Sequence, residues 1–144
     1  MAATEHGPLV LSLVERGWQA ARECSLDLQE ANVEWLHVVK GRLSRAVQAM
    51  VAPQPRIRLM SVPKTLFWPM IGLLVGAGAV SGRLRAVLVD NPRSLRRLDR
   101  LGRMVRVPVA MVQEGAEGYE VWLGTARLSR AAWAAAIHAH RPHL

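Results

Sequence analysis

The chain has 144 residues and a mass of 15.9 kDa, the size of one ordinary domain. With 51% apolar and 21% charged residues it can bury a core without staples, and it does not have the composition of a disordered linker. One cysteine, Cys24, excludes an intramolecular disulfide framework, and the longest apolar run, Thr65–Val80, is short for a bilayer span and contains Pro69, which argues against a membrane channel.

The N-terminus lacks a signal-peptide pattern, because Glu5 and His6 interrupt it and no basic stretch precedes Leu9–Val14. A cytoplasmic protein, peripheral at most to the inner face of a membrane, is therefore expected. The net charge is +8, and seventeen of the nineteen basic residues are arginine. A GC-rich genome produces that bias with no functional cause. A surface that meets phosphate produces it too, since the guanidinium fork matches a phosphate.

Along the chain, strand-like apolar runs alternate with amphipathic stretches. Pro8–Val14 predicts a buried strand, Trp18–Gln29 a helix, and Val33–Val39 a second strand ended by Lys40 and Gly41. Leu43–Val51 predicts a short helix stopped by Pro53 and Pro55, and Ile57–Val62 a third strand. Thr65–Val80 predicts a helix apolar on nearly every side, with Thr65 as N-cap and Pro69 tolerated near its start. Leu84–Val89 predicts a fourth strand. Asn91 and Pro92 have the form of an N-cap and first helical residue for a helix to about Met104. Val107–Val112 predicts a fifth strand, Tyr119–Leu123 an antiparallel sixth, and Arg127–Ala139 a closing alanine-rich helix. Right-handed crossovers turn this order into a single α/β domain over residues 1–144: three-layer, doubly wound and Rossmann-like. Its sheet is mostly parallel, with five or six strands.

In such sheets ligands bind beyond the carboxyl ends of the strands. That rule nominates Glu15, Arg16 and Gly17 after the first strand and Lys40 and Gly41 after the second. It adds Lys64 after the third, Asp90, Asn91, Arg93 and Ser94 after the fourth, and Gln113 and Glu114 after the fifth. Arg16, Lys40, Lys64 or Arg93, with helix-terminal amides, could hold an anion or a sugar, although polar turns also occur in every α/β protein. No glycine-rich dinucleotide or P-loop signature is present, so a Rossmann dehydrogenase or P-loop NTPase is disfavoured. No cofactor is expected. Gly72, Gly76 and Gly78 fall within a helix and serve close packing, or seat a partner helix or lipid.

Cys24 is expected to be packed within the first helix, and His37 to be a half-buried core or edge residue. His138, His140 and His143 are poorly spaced for a metal on a helix, and no metal site is expected. No Ser/His/Asp set can be assembled from spacing. From Arg83 to Arg106 there are eight arginines against Asp90 and Asp99, with Arg96, Arg97, Arg100 and Arg103 on the helix. This is either a solvated helix face or the surface of a non-catalytic binding or scaffold domain for anionic lipid, nucleic acid or a protein partner. Lipid is favoured by neighbouring Phe67, Trp68 and Met70 if those are exposed; nucleic acid lacks the interleaved lysines and aromatics it would use.

Arg16-Gly17 before an alanine-containing helix, followed by Val33–Gly41 (VEWLHVVKG), resembles the opening β-α-β unit of GT-B fold glycosyltransferases. Ser61-Val62-Pro63-Lys64 with Leu66-Phe67-Trp68-Pro69 is similar to the third unit of that lobe. Ala86–Leu95 (AVLVDNPRSL) and Val107–Glu114 (VPVAMVQE) are similar to the fourth and fifth. The resemblance covers residues 8–125 and only the acceptor-side lobe. It implies acceptor contacts at Arg16, Gly17, Lys64, Asp90, Asn91 and Glu114, with Glu114 or Asp90 as the base on an acceptor hydroxyl. It also implies a separate donor-binding lobe as partner, because no donor-side carboxylate pair follows Glu120.

Overall fold

The computed structural model describes residues 8–15, 18–27, 33–41, 56–115 and 118–139. The helix expected over Leu43–Val51 lies outside them. The described strands are β1 (Leu9–Val14), β2 (Glu34–Lys40), β3 (Ile57–Val62), β4 (Leu84–Val89), β5 (Val109–Gln113), β6 (Glu120–Leu123) and β7 (Ala126–Leu128). The helices are α1 (Trp18–Asp27), α2 (Phe67–Ser81), α3 (Pro92–Val105) and α4 (Arg130–Ala139).

All seven strands form one sheet in the order β3-β2-β1-β4-β5-β6-β7. The first five are parallel, and β6 and β7 run antiparallel at the end. This is the expected three-layer, Rossmann-like α/β arrangement, with one strand more than the five or six predicted. The extra strand is β7, which occupies residues expected to open the last helix. Gly124, at φ 65°, makes the first position of a two-residue hairpin loop that a side chain would strain. Ala126–Leu128 therefore folds back on β6. The helix begins only after Ser129, whose Oγ accepts the N–H of Ala132 at 3.1 Å.

The central strands are buried on both faces, as parallel strands covered by helices must be. Val10 and Val14 face the layer of α1 and α4, where they meet Ala21, Cys24, Trp133 and Ile137. Leu11 and Leu13 face the layer of α2 and α3, where they meet Phe67, Ile71, Val75 and Leu98. Cys24 is fully buried, as expected of a packed cysteine.

Two helix starts differ in how closely they follow their sequence signals. At α3 the expectation holds: Asn91 is the N-cap, its side chain accepts the Ser94 N–H at 2.9 Å, and Pro92 is the first helical residue. At α2 it does not. Lys64–Leu66 forms a 3-10 turn closed by Leu66 N–H on the Pro63 carbonyl at 2.9 Å, so Thr65 caps nothing. Pro69 then falls in the first turn, where N–H groups have no intrahelical partner. The helical span Lys64–Ser81 is 18 residues, which reaches bilayer-spanning length and composition where the shorter apolar run was expected not to. One face of it nevertheless packs on the sheet through Phe67, Ile71 and Val75.

α3 crosses β5 so closely that only glycine fits at position 102. A Cβ there would lie 2.6 Å from Val109 Cγ2 and 2.8 Å from the Val107 carbonyl. Overpacking of about 1–3 kcal/mol outweighs the helix propensity of about 1 kcal/mol that alanine gains over glycine. Gly102→Ala should therefore lower the unfolding free energy in urea by up to about 2 kcal/mol. Gly72→Ala and Gly76→Ala, where an added Cβ meets nothing within 4 Å, should leave it unchanged or raise it.

Candidate functional site at the carboxyl edge of the sheet

The strand order places β1 beside β4, although α1 and α3, which follow them, lie on opposite faces of the sheet. At such a reversal the two connections diverge and leave a crevice beyond the strand ends. Glu15 stands in it immediately after β1, and Asp90, Asn91 and Ser94 stand in it after β4.

Glu15 is the centre of the polar arrangement. Its carboxylate accepts hydrogen bonds from Asn91 Nδ2 at 3.3 Å and from Ser94 Oγ, and Lys40 Nζ lies 3.4 Å from Oε2. Its own backbone N–H donates to Asp90 Oδ2 at 2.8 Å, while Asn91 Nδ2 also donates to Asp90 Oδ1 at 2.9 Å. These bonds tie the ends of β1 and β4 together. The side-chain oxygen of Asn91 is meanwhile engaged in the α3 cap, so every polar atom of that side chain has a task.

Around this knot is a cleft of about 430 Å³. Among the described residues, Lys40, Lys64, Arg93 and Arg97 line it as cations, with Glu15 as the one carboxylate, and Trp68, Asn91 and Ser94 complete the wall. Arg97 is held by stacking, its guanidinium carbon 4.6 Å from the Trp68 ring centroid. Lys40 Nζ lies 5.6 Å from the centroid of the buried Phe67 ring. Two of the four cations are thus oriented before any ligand arrives.

Of the expected ligand-binding residues, Lys40, Lys64, Asn91, Arg93 and Ser94 come together in this cleft. Arg16 and Gly17 lie outside the described residues. The two candidate bases, Asp90 and Glu114, follow the neighbouring strands β4 and β5. Asp90 is engaged in the turn, and Glu114 is exposed beyond β5 and is not among the residues lining the cleft. Three members of the site carried weak sequence signals. Glu15 was nominated only by its place after a strand, and Arg97 only as part of the basic surface. Its spacing of four from Arg93, one helical turn, was the usable clue. Trp68 had no polar signature at all.

The remaining candidates fare differently. His37 is fully buried on an interior strand, between β1 and β3, rather than half-buried or at an edge. Its ring stacks on Trp35 at 5.8 Å, and burial lowers its pKa from 6.5 to about 3, so it is neutral. Ser12 is its register neighbour on β1, but neither side chain has any exposure, so no substrate can reach the pair. The side chain of His138, and all of His140 and His143, lie outside the described residues. Among the described residues no cluster suited to a metal ion occurs. A larger groove, about 970 Å³, opens at the opposite, amino-terminal edge of β5 and is walled by α3, with Arg103 paired to Asp99 at 2.9 Å.

Compared with models of protein families, with curated proteins and with solved structures, the chain finds no match in any of the three.

Proposed function

We propose that this chain is a small-molecule-binding α/β domain that holds a phosphate-bearing ligand in the cleft between the ends of β1 and β4. The observation that carries the reading is the cleft lining, which among the described residues sets four cations against one carboxylate, itself engaged by Lys40, Asn91 and Ser94. Glu15 orients Lys40 and the start of α3, while Lys64, Arg93 and Arg97 project the excess positive charge. A phosphate suits this array better than a neutral sugar, because arginine presents paired N–H groups to adjacent phosphate oxygens.

The finer form of the reading is the acceptor lobe of a glycosyltransferase. The bound phosphate then belongs to the acceptor, and a separate donor-binding chain completes the enzyme. Asp90 in that case positions the turn through Glu15 and Asn91 rather than acting as base.

Inorganic pyrophosphate, titrated calorimetrically, tests the cleft directly. Saturable binding is expected for the intact chain, weakened about tenfold, or 1.4 kcal/mol, in the double variant Lys64→Gln/Arg93→Gln. Both side chains are exposed, so the fold should survive, as circular dichroism would verify. Equal affinity in the variant and the parent would remove the cleft as the binding site.

A further inference from the structure

The outer layer of the α2–α3 side carries a second feature, which shares Arg93 and Arg97 with the cleft. α2 packs one face on the sheet, yet its opposite face is also apolar. Leu73 is 66% and Val80 74% exposed, and Leu66 just before the helix is 54% exposed. These positions recur every seven residues, two helical turns, and so form one stripe. Pro69, Gly72 and Ala77 are exposed beside it. No charged side chain occurs between Lys64 and Arg83. A soluble helix ordinarily turns charge outward at such positions.

The sequence expectation placed lipid contact at Phe67, Trp68 and Met70. Phe67 is fully buried and the other two are only half-exposed, so those side chains do not form the surface. The outward stripe takes their place. Next to it, Arg93, Arg97, Arg100 and Met104 succeed one another at spacings of four, three and four, and so share one flank of α3. The Arg97–Trp68 stack fixes that flank beside α2. Met104 is 74% exposed. The acid of α3, Asp99, is paired with Arg103 instead.

We infer that the outward face of α2, with the adjoining arginine flank of α3, docks on an anionic lipid bilayer. The charge pattern selects this occupant. An apolar stripe enters the headgroup–acyl boundary, a row of arginines beside it meets lipid phosphates, and no carboxylate on the stripe opposes either.

Co-sedimentation of the full chain with vesicles tests the inference. Phosphatidylcholine vesicles with phosphatidylglycerol added should retain the protein at least about tenfold more strongly than phosphatidylcholine alone, and added salt should reduce the difference. Leu73→Gln/Val80→Gln, which keeps the charge, should lower retention on the anionic vesicles about tenfold. Arg100→Gln, on the flank and outside the cleft, should weaken the preference for anionic lipid about fivefold. Pyrophosphate binding by both variants reports separately on the cleft. Retention unaffected by Leu73→Gln/Val80→Gln would overturn the inference. So would a stable dimer by light scattering that this pair of substitutions dissociates while the parent ignores vesicles, since a second copy would then cover the stripe.

Discussion

Trp133→Ala is expected to lower the unfolding free energy by about 3–5 kcal/mol. α4 is alanine at most of its positions, and its two large apolar side chains, Trp133 and Ile137, are four residues apart on one face. They are 1% and 0% exposed and join the core layer with Ala21, Cys24 and Val121. A helix of 10 residues has little stability of its own in water, so these two contacts decide whether α4 docks. Removing the indole leaves a cavity that alanine neighbours are too small to fill. Trp133→Phe should cost less than half as much, because the ring remains and the indole N–H has no acceptor among the described residues. Urea unfolding supplies both values, and hydrogen exchange should show the α4 amides released first. A loss under about 1 kcal/mol for the alanine variant would mean that α4 contributes little to the fold.

The second large effect is acid sensitivity from His37. Its folded pKa is depressed to about 3 by burial, against 6.5 for the exposed side chain. The unfolded state therefore takes up a proton below about pH 6.5 that the folded state refuses. The contribution of His37 is fully present above that pH and is lost as pH falls toward the folded value, at about 1.4 kcal/mol per unit. By about pH 5 the loss reaches about 2 kcal/mol. His37→Leu should flatten the stability profile between about pH 6.5 and 5, before most carboxylates titrate. Identical slopes for parent and variant in urea unfolding across that window would show that His37 reaches solvent in the folded state.

The sequence signals that succeeded were local and chemically specific. Asn91-Pro92 placed the start of α3 because an N-cap side chain and a fixed φ act within one turn of the chain. The apolar runs at Leu9–Val14 and Leu84–Val89 were readable as buried parallel strands, since burial on both faces removes the alternation of polar residues. Where the expectation failed, a neighbouring element had overridden a weak local preference. Thr65 could have capped α2, but Pro63 closed a 3-10 turn first. Ala126–Leu128 has helix-forming composition, yet pairing with β6 after Gly124 satisfies its backbone instead.

The candidate site divides along the same line. Lys40, Lys64, Asn91, Arg93 and Ser94 could be nominated because strand ends are recognisable and ligand sites gather there. Glu15 as the hub, and Trp68 with Arg97 as part of the wall, could not. Their importance depends on which strands and helices become neighbours.

The sequence by itself determined the alternation of buried strands and covering helices, the cap of α3, the positive balance and the packed state of Cys24. Each of these follows from side-chain chemistry over a few residues. Only the tertiary structure decided that β1 lies against β4, so that Glu15 meets Ser94 across 79 positions of chain. Strand adjacency is settled by competition among all the apolar faces for burial, a property of the whole chain that no local pattern carries.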